Sequence, residues 1–266
     1  MVSKKIDIIK IGGSVITNKR KYKTLIIKNL ARIIEEIAKS PDKPKILIHG
    51  AGSFGHIVAK KYNIINGFKK LEQIDGILKI REDMAELTKK VVNFINKKNL
   101  KALAFQTSAI TFENQETKVV EIYVEPIKKA LEINLIPVLS GDIVFSDRRG
   151  FSIISGDQLI ELLTSFFDVE KVVFCSDIDG LMGYNKKNEQ MLIEEIEYSK
   201  LDSINIAKIK ETEKIDVTGE MQNKLNIIKK LSGKVHEVVL VNGLVDGRLR
   251  SVLNNKKTIC TKIINK

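Results

Sequence analysis

The chain has 266 residues, 43% of them hydrophobic, and 45 Lys and Arg against 33 Asp and Glu give it a formal charge of +12. That apolar share can bury a sizeable core, as one large α/β domain or two closely joined lobes, and it excludes a disordered chain. The basic excess is spread along the whole length, which favours a solvated, lysine-rich surface over a dedicated nucleic-acid face and suits an anionic substrate.

In chain order, Ile6 to Ile11 reads as a first strand, Leu25 to Lys39 as a helix and Lys45 to His49 as a second strand. Ile57 to Tyr62 continues as a helix, and Leu71 to Asn99 is mostly helical. Ala102 to Phe105 and Val119 to Tyr123 are strand-like, Pro126 to Leu135 is a helix with proline near its start, and Ile136 to Leu139 is a buried strand. Ile143 to Phe145 and Phe151 to Ile154 form a hairpin that leads into a helix from Asp157 to Phe166. A strand at Val172 to Cys175, a polar excursion at Tyr184 to Gln190, a helix from about Gly219 to Leu231 and a strand at Glu237 to Val241 follow. The chain closes with a helix at Gly247 to Asn254 and a strand at Thr258 to Ile264. Apolar runs of strand length alternating with amphipathic segments predict a mainly parallel sheet covered on both faces, with a soft lobe boundary near Asp168.

Cys175 and Cys260 show no C-x-x-C spacing and no nearby histidine, so they are expected in the core rather than in a metal or redox site. No apolar stretch is long enough to cross a bilayer and none leads into Ile6, so a soluble, unprocessed protein of the cytoplasm is expected.

The most informative stretch is His49-Gly50-Ala51-Gly52-Ser53-Phe54-Gly55-His56. A strand, a glycine turn and a helix start leave backbone N–H groups pointing out of the turn, a natural place for an anion. The segment also fits G-x-G-x-x-G, but it follows the second strand and no further strand with an acidic end comes about 20 residues on, as a dinucleotide fold requires. A plain turn needing glycine would explain the glycines but not His56. A second glycine turn, Lys10-Ile11-Gly12-Gly13-Ser14, ends the first strand, with Lys19 beyond it. It is not a Walker A loop, and alone it reads equally as a βα turn. Later strands end in Ser140-Gly141-Asp142, Ser155-Gly156-Asp157 and Ser176-Asp177-Ile178-Asp179-Gly180, and Asp216 to Lys224 opens a helix that returns a lysine. Any one of these suits a capped helix or a turn, with Asp157 itself a possible N-cap, but together they mark the strand ends at which open α/β sheets bind ligands.

The order K-x-G-G-S, H-G-x-G-S-F-G-H, S-G-D, S-D-x-D-G and D-V-T-G-x-M-x-x-K resembles the amino acid kinase superfamily, and within it the isopentenyl phosphate kinases, over essentially the whole chain. The resemblance implies a three-layer αβα sandwich in which residues 1–168 bind the phosphoacceptor and dimerise while residues 169–266 bind the nucleotide. It implies transfer of a phosphoryl group from ATP to isopentenyl phosphate, with Mg²⁺ carried on the nucleotide phosphates, in a cytoplasmic homodimer without nucleic-acid or membrane partners. Lys10, Gly12, Gly13 and Ser14 would hold the ATP phosphates, and Lys19 would stabilise the moving phosphoryl group. Ala51 and Gly52 would offer N–H groups to acceptor and donor phosphates, His56 would hydrogen-bond the acceptor, and Gly55, Gly141 and Gly156 would lie on the substrate side. Asp157 would hold Lys10 and Lys224 without acting as a base, and Asp177, Gly219 and Lys224 would face the nucleotide. No protein metal ligand is implied.

The chain departs from the pattern at Glu220, where a second glycine is usual, at Ser140, where relatives can carry histidine, and at Ala51, which replaces a glycine. Glu220 keeps open a regulator that kept the fold but lost activity, a basic nucleic-acid-binding protein is a further alternative, and the same superfamily offers phosphonate, uridylate and acetylglutamate kinases. Of the three histidines, His49 is expected to be structural and His236 a strand residue, while His56 follows the phosphate turn and is the functional candidate. An apolar tail pocket is expected between the helices of Ile57 to Phe68 and Leu71 to Ile95.

Overall fold

The computed structural model describes residues 5–114, 119–185, 187–201 and 218–265. In chain order the elements are β1 (Ile6–Ile11), α1 (Gly13–Ile16), α2 (Ile27–Ala38), β2 (Lys45–His49), α3 (Gly52–Lys61) and α4 (Glu72–Asn96). Then come β3 (Ala102–Ala104), α5 (Thr107–Ile110), β4 (Thr111–Asn114), β5 (Val119–Ile122), α6 (Glu125–Glu132), β6 (Ile136–Ser140), β7 (Asp142–Ser146), β8 (Gly150–Ile154) and α7 (Gly156–Leu163). The remainder is β9 (Val169–Ser176), β10 (Met182–Tyr184), β11 (Gln190–Leu192), β12 (Glu195–Glu197), α8 (Thr218–Lys230), β13 (Val235–Asn242), α9 (Arg248–Leu253) and β14 (Cys260–Ile264).

An eight-stranded sheet in the order β12-β14-β13-β9-β1-β2-β6-β3 forms the middle layer. Every neighbouring pair in it is parallel except β13 with β14. It runs unbroken past Asp168, because β9 pairs directly with β1. The polar excursion after β9 folds back as the β10–β11 hairpin, and β5-β4-β7-β8 form a smaller sheet of their own.

Alternation along each strand separates two cores. Ile9 and Ile11 of β1, with Leu47 of β2, face α2, α3 and α4 through Leu30, Ile33, Phe54 and Leu87. Ile6 and Ile8, with Ile46 and Ile48, face α7 and α8 through Leu159, Ile160, Leu225 and Ile228. Strands buried on both faces read as continuous apolar runs, which is why these were legible in the sequence. The same parity fixes two polar residues. Lys10 must share the face of Ile8 and point toward α7 and α8, whereas His49 shares the face of Leu47 and points toward α4. Cys175 and Cys260 are both free thiols buried in the core.

Candidate active site

The two glycine turns interlock at the ends of β1 and β2. A Cβ on Gly13 would lie on Gly52 N and 2.6 Å from Gly52 Cα, and one on Gly50 would stand 2.5 Å from Gly13 N. Gly52 has φ +49, a left-handed value that glycine adopts without strain, so the chain turns sharply here into α3. Thr17 braces both turns: its hydroxyl donates to Gly13 O at 2.7 Å and accepts from Ser53 N at 3.1 Å. Gly12 N donates to Cys175 O at 2.7 Å, which draws the first turn against the end of β9 and its Ser176-Asp177 turn. Ser53 N is spent on Thr17 Oγ1 and Phe54 N on Ala51 O, so the donors this junction can turn to an anion are the N–H groups at its very start, Ala51 and Gly52.

The charged centre lies beside it. Lys10 donates from Nζ to Asp157 Oδ1, and Lys224 Nζ stands 3.1 Å from Asp157 Oδ2. These side chains are 11%, 6% and 11% exposed for Lys10, Lys224 and Asp157. Lys224 arrives from α8 and also lies 5.1 Å over the ring of Phe174. Asp157 is aimed by the start of α7, where Ser155 and Gln158 form a reciprocal capping box, with Gln158 N to Ser155 Oγ at 3.2 Å and Ser155 N to Gln158 Oε1 at 2.8 Å. The N-cap is therefore Ser155 and not Asp157, which leaves the aspartate free of capping duty to meet both lysines. Gly156 keeps this corner open, since a Cβ there would come within 3.1 Å of Lys10 Cε. Gly141 approaches the same corner, its missing Cβ directed 3.2 Å from Gly156 N.

A second ion-pair set forms around Asp177. Ser14 Oγ donates to Oδ1 at 3.0 Å and Lys19 Nζ to Oδ2 at 3.2 Å. Burial pushes both Asp157 and Asp177 toward the neutral form, but the attraction of Lys10 and Lys224, and of Lys19 with Ser14, more than offsets it. Both carboxyls sit below their ordinary 3.8, so both are ionised at neutral pH. Among the described residues no group of three or more His, Cys, Asp or Glu side chains is placed to hold a metal ion.

Residues 5–243 match the amino acid kinase family. The chain belongs to that family. Over 239 residues it is 31% identical to the isopentenyl phosphate kinase of Methanocaldococcus jannaschii, covering 85% of this chain and 87% of the relative. It is also 31% identical to the isopentenyl phosphate kinase of Methanothermobacter thermautotrophicus, covering 97% of this chain and 99% of the relative. A crystal structure of an isopentenyl phosphate kinase aligns over 97% of this chain and 100% of its own, with 28% identity and a TM-score of 0.79. UMP kinase from Ureaplasma parvum shares the fold at 18% identity, with a TM-score of 0.64.

In this amino acid kinase, His56 sits on the exposed side of α3, one helical turn beyond Gly52. Gly55 and Ala51 lie one turn apart: a Cβ on Gly55 would stand 2.7 Å from Ala51 Cβ and 3.6 Å from Met84 Sδ of α4, so Gly55 lets these helices close on each other. Phe54, Val58, Ile80 and Met84 are buried in the same cluster, making the seam between α3 and α4 packed core. Gly219 lies at the start of α8, while Asp216, Val217 and the side chain of Glu220 lie outside the described residues. Lys60, Lys61, Lys69 and Lys70 are exposed, and His236 is an exposed residue of β13.

His49 is fully buried, as its strand parity demands. Its Nε2 is 2.9 Å from Thr88 Oγ1 of α4 and its Nδ1 is 3.3 Å from Gly50 O, so the ring ties the glycine turn after β2 to α4. Burial lowers its pKa from 6.5 to about 4. The unfolded chain therefore takes up a proton at His49 below pH 6.5 that the folded chain refuses until about pH 4, and stability falls with pH through that window. The expected loss is about 3 kcal/mol, read as a drop in the urea midpoint between pH 7 and pH 4. His49→Gln should flatten that part of the profile, and an unchanged slope would contradict the assignment.

Sequence reasoning missed Thr17, Thr88 and Arg81, the ion-pair partner of Asp142, whose carboxylate also accepts from Ser108 N at 3.0 Å and Ile143 N at 2.9 Å. None carries a local signal, because each is defined by a partner on a distant element.

Proposed function

We propose that the chain transfers the γ-phosphoryl group of ATP to isopentenyl phosphate, giving isopentenyl diphosphate and ADP. The observation that carries the chemistry is the pair of buried lysines held on one aspartate beside two interlocked, donor-rich turns. An acceptor phosphate is already ionised near neutral pH, so the step needs positioning and charge neutralisation rather than a strong base. Asp157 fits an organiser of that kind: a carboxylate held below its ordinary pKa is a poor proton acceptor, and here it sets the spacing of two ammonium groups. Lys10 and Lys224 then face the nucleotide phosphates together with Gly12, Gly13 and Ser14. Lys19, more exposed at 47%, meets the phosphoryl group in transfer. Ala51 and Gly52 give N–H groups to the phosphates, and His56 contacts the acceptor monophosphate from α3.

Both site carboxylates are engaged by lysines, so Mg²⁺ fits as an ion brought on the nucleotide phosphates, where it supplies further charge neutralisation. Residues 1–168 hold the acceptor and carry the homodimer contact, for which the exposed apolar residues Leu71, Phe112, Tyr123 and Phe145 are available. Residues 169–266 hold the nucleotide. No helix among the described residues is long and apolar enough to cross a membrane.

The test is a coupled ADP-release assay with MgATP and a panel of isopentenyl phosphate, dimethylallyl phosphate, fosfomycin, UMP and acetylglutamate. Isopentenyl phosphate should give the highest kcat/KM, and preference for another acceptor would reassign the substrate. His56→Ala should lose about 100-fold in kcat on isopentenyl phosphate, the scale for one well-placed donor, while ATP binding stays intact. Unchanged turnover would remove His56 from the acceptor site.

A further inference from the structure

The loop that carries Lys19 is fastened on its far flank to a buried carboxylate, and we propose that Asp83 of α4 is a positioning residue for Lys19. The proposal rests on the reading of Lys19 as the group that meets the moving phosphoryl.

Residues 17–25 form a loop closed at its base by a bridge between Thr17 and Leu25. Asn18 N donates to Thr24 O at 2.9 Å and Arg20 N to Asn18 Oδ1 at 3.0 Å, so the loop moves as one piece. Its tip is exposed from Asn18 to Tyr22, and it buries little apolar surface of its own. A loop of that composition opens locally unless polar contacts hold it. Those contacts converge on α3 and α4. Lys23 N donates to Ser53 O and Thr24 N to Ser53 Oγ, both at 3.2 Å. The Tyr22 hydroxyl donates to Asp83 Oδ2, and Lys23 Nζ stands 2.9 Å from Asp83 Oδ1 and 2.7 Å from Glu86 Oε2.

Asp83 is a demanding anchor, since its side chain is 0% exposed and Lys79 Nζ lies 3.2 Å from the same Oδ1. Burial works against its charge, but the donors from Tyr22, Lys23 and Lys79 hold it below the ordinary carboxylate range. Lys23 itself has φ +51, a left-handed conformation that costs an ordinary side chain free energy and persists only when its surroundings impose it. On the near flank, Lys19 reaches Asp177 at 3.2 Å. Lysine is a flexible point charge, so where its ammonium rests depends on where the loop holds its Cα. Asp83 holds the loop, and the loop aims Lys19.

The experiment compares Tyr22→Phe and Asp83→Asn, each with and without Lys19→Ala, in steady-state turnover of isopentenyl phosphate with MgATP. Amide hydrogen exchange at Lys23 and Thr24 and the urea midpoint are measured alongside. Each single variant should speed exchange at those amides and lower kcat about tenfold, within the range expected for a displaced catalytic group, with KM for ATP changed less than twofold. In the Lys19→Ala background the same substitutions should lower kcat less than twofold, because the group they position is gone. A full tenfold loss again in that background would overturn the proposal, as would unchanged kcat in Tyr22→Phe despite faster exchange. Tyr22→Phe alters an exposed residue, so it decides the matter even where Asp83→Asn fails to fold. Full turnover by Lys19→Ala alone would instead overturn the reading of Lys19, and with it this role for Asp83, while leaving the kinase assignment standing.

Discussion

Asp157→Ala is expected to destabilise the protein by about 3–5 kcal/mol and to abolish measurable turnover. The substitution would remove the carboxylate that sits between Lys10 and Lys224, whose side chains are 11% and 6% exposed. Two like charges in a poorly solvated corner repel, so one lysine must swing out or give up its proton. On the proposed roles of the two lysines, either response removes a phosphate contact and spoils the geometry of the other. Asp157→Asn keeps the volume and one acceptor oxygen, and should cost less stability while still losing most of the rate, since an amide does not fix two ammonium groups. Urea unfolding at constant m-value gives the first quantity and single-turnover kinetics the second. Wild-type stability in the alanine variant would show that the lysines are not held by this carboxylate.

The second large effect is expected at Gly52→Ala. A Cβ there would run into Thr17 Oγ1 and stand 3.0 Å from Gly13 O, on a residue whose φ is +49. The left-handed conformation costs an alanine about 1–2 kcal/mol and the overpacking a further ~1–3 kcal/mol, so a total of about 2–5 kcal/mol is expected. Turnover should fall further than stability alone would predict, because relief of the clash requires the two turns to separate. The comparison is melting temperature and kcat for Gly52→Ala beside Gly233→Ala, another positive-φ glycine, where no atom lies within 4 Å of the added Cβ. Equal losses in both variants would mean that backbone strain, and not the interlocking of the turns, dominates.

Much of the frame was legible before the fold was known. β1, β2, β6, β9 and β13 are short apolar runs because both faces of the sheet are covered, and their boundaries lie within a few residues of the sequence expectation. α3 starts at Gly52 and not near Ile57, because two glycines mask helix propensity that tertiary contact with α4 overrides. β4, β10 and β12 escaped because a run of three or four residues is too short to show a usable period. At the candidate site, the glycine turns were legible by residue type and by their place after β1 and β2, and Lys10 by its place beside the first of them. Thr17, Asp83 and Thr88 were not, since a threonine or aspartate on a helix or loop looks the same whether it faces water or a buried partner.

The sequence by itself determined which turns could hold phosphate and which residues within one strand share a face, while the parallel register of β1 with β2 put Lys10 and His49 on opposite sides of the sheet. The first two properties depend on residue type and on a period of two, which act over a few neighbours. Only the tertiary structure decided that Asp157 lies between lysines 147 and 67 positions away, and that Gly13 must give way to Gly52. Such contacts follow from the order in which β9, β1, β2 and β6 pair, and no local propensity encodes that order.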